Sequence, residues 1–191
     1  MYHWGEFMER SAAPRTLRRF FDGVVRRSFG DLTIRDEVAA DYLADLLTRF
    51  ARAENIYPIS ALTGERLDAV VDLLLEVQRV WDLDSPHFNP AQEREIKRHI
   101  GDYTLFMTGL FRERVEGLAC AGFYIREGKR AYRFVSEHDR AGARPHAGLF
   151  RTLSDRFEGF AGALSYMRKV YFRPEFGLPS LPFFRQLVTE W

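Results

Sequence analysis

The sequence predicts an all-α fold, a single-domain antiparallel bundle of six or seven helices. Three observations carry that expectation. Apolar residues recur at steps of three and four along several segments, the period of a helix with one buried face. Proline, glycine and capping residues punctuate those segments where helices would start and stop. No stretch shows the period-two alternation of a half-buried strand, and no internal repeat or low-complexity segment breaks the pattern. At 191 residues, 46% of them hydrophobic, the chain is long enough to bury a core without disulfide or metal staples.

The elements follow in order. Residues 1–14 read as a loosely ordered lead, with Pro14 starting a helix over 15–29. Leu17, Phe20, Phe21, Val24 and Val25 share one side of that helix and Arg18, Arg19, Arg26 and Arg27 the other. Gly30 ends it, and Thr33 is expected to cap a second helix whose inner face is Val38, Tyr42, Leu46 and Phe50. A third helix, capped by Ser60 or Thr63, carries Leu67, Val70, Leu74, Val77 and Trp81.

The fourth helix, 89–111, has the strongest start signal in the chain. Asn89 caps, Pro90 takes the first helical position, where its missing N–H costs nothing, and Glu93 and Glu95 lie where the macrodipole favours negative charge. Its second half is apolar nearly all round, through Ile100, Leu105, Phe106, Met107, Leu110 and Phe111, so it is expected at the centre of the bundle.

Residues 112–117 read as a polar connection, and a fifth helix spans 118–138 with Ala121, Ile125, Gly128, Tyr132 and Val135 inward. Residues 139–148 form a loop. A long helix over 149–172 then repeats Leu149, Leu153, Phe157, Phe160, Leu164, Met167 and Tyr171, with Gly159 and Gly162 beside the stripe as places of close backbone approach. Residues 173–191 hold three prolines and read as a docking tail ending in a short aromatic helix.

Charge is uneven. Net charge is +1, yet residues 31–89 hold five Lys/Arg against twelve Asp/Glu, and residues 90–191 hold seventeen against twelve. Such complementarity points to a homo-oligomer or to pairing within the chain, and argues against nucleic acid as the main partner. No apolar run approaches the ~20 residues of a membrane span, so no membrane partner is expected. The single cysteine, Cys120, lies between two alanines and can form no intrachain disulfide, which suits a reducing, cytoplasmic setting and a buried, inert thiol. The phosphate-loop, dinucleotide, nucleophile-elbow and zincin motifs are absent. The function expected is therefore a non-catalytic binding or interaction protein.

Three places could carry chemistry. The outer face of the fifth helix gathers Arg126, Lys129, Arg130 and Arg133 within about a 100° arc, enough to hold a phosphate, an acidic partner or a nucleic-acid backbone. The plainer alternative is a solvated face, or one docked on the acidic helices of residues 31–89. Glu95, His99 and Asp102, at i, i+4 and i+7, could supply metal ligands on one edge of the fourth helix, with His138, Asp155 or Glu158 completing the set in a metal-dependent enzyme. The plainer alternative there is a Glu95–His99 surface pair, with Asp102 bonded to a neighbouring arginine. Finally Phe106, Phe123, Phe134, Phe157, Phe160 and Tyr166 could line a cavity for an apolar ligand such as haem, flavin or lipid, or simply pack the core.

Overall fold

The computed structural model describes residues 4–52, 90–117 and 119–173, with side chains from Leu17 onward apart from Arg52 and Gln92. Among these residues the fold is all-α, with seven helices and no strand: α1 (Trp4–Asp31), α2 (Glu37–Arg52), α3 (Pro90–Leu110), α4 (Arg112–Gly117), α5 (Ala121–Ala141), α6 (Ala147–Asp155) and α7 (Phe157–Tyr171). The third helix expected from sequence, the Asn89 cap and the tail beyond Arg173 lie outside the described residues. None of these helices is long and apolar enough to cross a membrane. The chain divides into two compact units, residues 1–56 with 166–191, and residues 57–165.

In the first unit α1 begins at Trp4, eleven residues before the expected start. Glu6, Met8, Glu9, Arg10, Ala12 and Ala13 are good helix formers, and the helix carries through Pro14 despite the backbone bond that proline removes. Leu17, Phe21, Val24 and Val25 are buried, as the apolar stripe predicts, Phe29 is buried with them, and Phe20 is half-buried. The chain leaves α1 through a Schellman turn. Ile34 N–H donates to Phe29 O at 2.8 Å and Thr33 N–H to Gly30 O at 3.1 Å, with Thr33 left-handed at φ 58°.

Thr33 therefore closes α1 rather than capping α2. The cap is Asp36, whose Oδ1 accepts the Ala39 N–H at 2.9 Å. The inner face of α2 is also rotated from expectation. Ala39, Leu43, Leu46 and Leu47 are buried, while Val38 is 61% exposed. The alanines let α2 lie close, and their small size hid this face behind the larger Val38–Tyr42–Phe50 stripe. Arg26 pairs with Glu37 near the turn and Arg18 with Asp45 farther along, so α1 and α2 run antiparallel. Phe172, just past α7, stacks on Phe20 with centroids 6.1 Å apart.

The second unit is built on α3 and α5. Arg94 meets Asp139, Asp102 meets Tyr132, and Thr104 meets Gly128, so these helices also run antiparallel. Two glycines set their approach. A Cβ on Gly101 would lie 2.6 Å from Tyr132 Cε1, and one on Gly128 would lie 2.5 Å from Phe157 Cε2 and against Thr104 Oγ1. Each helix thus notches the other. The buried Thr104 and Thr108 hydroxyls donate back along α3, to Ile100 O and Thr104 O, each at 2.7 Å. The apolar second half of α3 is buried as expected, from Ile100 to Phe111 with Tyr103 half-exposed.

Residues 112–117 form a short helix rather than an irregular connection, held by the Arg112–Glu116 pair at 2.8 Å. Further on, α5 continues to Ala141, three residues past its expected end, because Asp139 is anchored by Arg94 inside the helix. The expected single helix over 149–172 is divided at Arg156 (φ −111°, ψ 22°). Arg156 N–H still donates to Thr152 O at 2.9 Å, and Phe160 N–H to Arg156 O at 3.1 Å, so the apolar stripe stays inside across the break. Neither glycine nor proline marks that point. Gly159 and Gly162 have no described atom within 4 Å of a built Cβ, so neither serves close approach among the described residues.

Candidate functional site

The outward side of α5 follows from what its inward side buries. Tyr124, Gly128, Ala131, Tyr132, Val135, Ser136 and Asp139 turn into the second unit. Ser154 Oγ donates to Lys129 O and Ser136 Oγ to Ala147 O, at 2.8 and 2.7 Å, which fixes α6 against α5. What remains outward is mostly basic, with one exposed carboxylate, Glu137, on the same arc. Arg126, Arg130, Arg133 and Arg140 are exposed and fall within about an 80° arc at the helical step, along about 21 Å of helix. Sequence reasoning had not included Arg140, which lies a further two turns along the same stripe.

Partners on this face are few. The mostly buried Glu127 carboxylate serves both Arg126, at 3.6 Å, and Arg130, at 3.4 Å. Lys129 leans to one edge and binds Glu158 at 3.0 Å. Arg133 and Arg140 have no described partner. Lys97 on α3 adds another cation, its ammonium 5.8 Å from the Phe134 ring centroid. Burial pulls the Lys97 pKa below its ordinary value, Glu93 opposes that, and the Arg130 charge pushes it lower still. Arg126 lies over Phe123 at 5.8 Å. Half-buried Phe123 and Phe134 thus flank one side of a row of cations whose charge the neighbouring carboxylates only partly offset.

Glu95, His99 and Asp102 occupy three different environments. Glu95 is exposed and pairs with Arg94 and with Arg98, the latter at 3.1 Å. His99 is half-buried. Asp102 is fully buried and accepts the Tyr132 hydroxyl at 2.8 Å. Among the described residues no group of three or more His, Cys, Asp or Glu side chains is placed to hold a metal ion. Of the suggested additional ligands, His138 stacks on Phe134, Asp155 pairs with Arg151 and Glu158 with Lys129.

Phe106, Phe157 and Phe160 are buried, and Phe123, Phe134 and Tyr166 are half-buried. Tyr132 packs against Phe150 and Phe157 with centroids 5.9 and 6.2 Å apart. One hollow of about 70 Å³ is bounded by Thr108, Arg112, Val115, Ile125 and Ala161 among others, and none of the six rings lines it. That is well below the about 300–1,000 Å³ of a small-molecule site. Cys120 is buried just ahead of α5 and forms no disulfide among the described residues.

The buried ion pair between α3 and α5 was not anticipated from sequence. Arg94 donates through Nε to Asp139 Oδ1 at 2.9 Å and through its terminal nitrogen to Oδ2 at 2.7 Å. The Arg94 guanidinium holds the Asp139 carboxyl below its ordinary range against the opposing effect of burial, with Arg144 contributing from 3.6 Å. Asp139 in turn holds the Arg94 pKa above its ordinary value. His138 Nδ1 is buried 3.7 Å from Asp139 Oδ1, beyond hydrogen-bond reach, and has no hydrogen-bond partner among the described residues. This cluster braces the end of α5 that carries Arg140.

Known protein families, curated proteins and solved structures give no match to this chain.

Proposed function

We propose that this chain is a binding protein whose working surface is the outer face of α5, and that the face takes an acidic partner. The observation carrying the reading is the state of Arg133 and Arg140. Both are exposed on the stripe that also holds Arg126 and Arg130, and neither has a described carboxylate partner. Arginine suits this role because its planar donor fork matches carboxylates and remains charged at any physiological pH. A cytoplasmic setting fits the buried, reduced Cys120 thiol.

The test is fluorescence anisotropy of a labelled polyglutamate peptide and, separately, of a labelled single-stranded oligonucleotide. The peptide is expected to bind, to weaken with added salt, and to be lost on Arg130→Glu with Arg133→Glu. Equal binding by the double variant would end the reading. So would binding of the oligonucleotide alone.

A further inference from the structure

We infer that Lys97 is a covalent binding site for an aldehyde carrying a negative charge, held as a reversible imine beside Arg130. The inference rests on the reading of α5 as a face for acidic groups, and adds an α3 side chain to it. The chain has three lysines, Lys97, Lys129 and Lys169, among 28 Lys and Arg residues, so few side-chain amines compete for a carbonyl. Lys129 is held by both Glu158 oxygens, at 3.0 and 3.1 Å, and Lys169 is exposed. Lys97 differs from both. It is half-buried, and its ammonium lies 5.8 Å from the Phe134 ring centroid. Among the described residues it forms no hydrogen bond and no ion pair. An amine seated on a ring without a salt bridge keeps its attacking nitrogen unengaged, and a nearby cation favours its neutral, nucleophilic form.

The surroundings of Lys97 suit that chemistry. Glu127, Arg130 and Phe134 lie on one edge of α5, within about a 60° arc at the helical step. Burial is the first cause of the lowered Lys97 pKa; Glu93 and Glu127 oppose it, and the Arg130 charge adds to it. More of this amine is therefore neutral at a given pH than of an ordinary lysine. Its nitrogen adds to the carbonyl carbon, and both protons of the neutral amine leave with the carbonyl oxygen as water. The C=N bond forms with no oxidant or reductant. Arg130 supplies the anion site. Its side chain is 74% exposed, and Glu127 takes one of its donors at 3.4 Å, which leaves the rest of the fork outward. Arg130 precedes Phe134 by four residues, about 6 Å along the axis, so the negative charge belongs about one aromatic ring's length from the carbonyl.

The experiment treats the full chain with 4-carboxybenzaldehyde or with benzaldehyde, each with cyanoborohydride, which reduces an imine to a stable secondary amine. Peptide mass spectrometry reads the labelling rate at each lysine, with Lys169 as the internal reference. The carboxylated aldehyde is expected to label Lys97 about fivefold faster than Lys169 or more. Relative to benzaldehyde it should be favoured at Lys97 by about threefold, the modest gain of an exposed ion pair. Arg130→Gln removes that preference and leaves the rates at Lys169 unchanged. The ratio of the two aldehydes separates anion binding from the change in amine basicity that the same substitution brings. Labelling of Lys97 no faster than Lys169 overturns the inference, as does a preference for the carboxylated aldehyde that survives Arg130→Gln. If either happens while polyglutamate still binds through Arg130, only the Lys97 inference fails. If polyglutamate binding fails as well, both fall.

Discussion

Arg94 and Asp139 face each other as a two-pronged ion pair between α3 and α5, with the Asp139 side chain wholly buried and only 9% of the Arg94 side chain exposed. Removing one member leaves the other charged and short of its partner in a buried site. Asp139→Asn is expected to cost about 3–5 kcal/mol, towards the lower end because Arg94 keeps Glu95. The effect depends on pH in a defined direction. The folded Asp139 pKa is depressed, so its contribution is present above the unfolded carboxyl's ~3.9 and is lost as pH falls through the lower folded value. Urea midpoints of wild type and Asp139→Asn should differ fully at neutral pH and draw together as pH falls below the unfolded carboxyl's ~3.9.

Gly128→Ala should destabilise, because the new methyl would meet Phe157 Cε2 at 2.5 Å. Overpacking of this kind costs about 1–3 kcal/mol. Gly159→Ala meets nothing described within 4 Å on an exposed turn of α7, and should stabilise by about 0.5–1 kcal/mol. Thermal melts of the two variants moving in the same direction would contradict the packing described for α5.

Three helix ends place a residue other than glycine in the left-handed region: Thr33 (φ 58°), Ala119 (φ 56°) and Ala143 (φ 50°). At Ala143 the same Schellman bonds recur, Arg144 N–H to Asp139 O at 2.8 Å and Ala143 N–H to Arg140 O at 3.1 Å. A side chain there costs about 1–2 kcal/mol. Thr33→Gly and Ala143→Gly should each raise stability by up to about 1 kcal/mol, since the greater freedom of glycine in the unfolded chain offsets part of the relief. Denaturant midpoints that fail to rise in either variant would contradict strain at these turns.

Tyr132→Phe should cost about 1–3 kcal/mol, because the buried Asp102 loses a donor at 2.8 Å while the ring contacts to Phe150 and Phe157 remain. An unchanged unfolding midpoint would show that the hydroxyl does nothing for Asp102.

The helical class and the buried half of α3 were legible because they depend on periodicity, which survives without tertiary information. The α5 cations were legible for the same reason, as a stripe. What failed depended on competition between overlapping signals. On α2 the large Val38 and Tyr42 masked a buried face made partly of alanine. At Thr33 the residue with cap chemistry was used to end one helix, and Asp36 began the next. At Arg156 a helix divides where no breaker residue stands. The Arg94–Asp139 pair joins residues forty-five positions apart, and no single-sequence pattern links an arginine to one carboxylate among many.

The reciprocal notches between α3 and α5 restrict motion as well as composition. Tyr132 occupies the gap at Gly101, and Thr104 occupies the gap at Gly128. If either helix slid by one residue, a ring would meet a side chain instead of a bare backbone. Close-packed interfaces of this kind do not deform continuously. The pair can therefore stay in register, separate, or jump to another seating, but it cannot creep. Any signal that a partner on the outer face of α5 sends into the second unit must travel as a rigid tilt of the pair or as a discrete step.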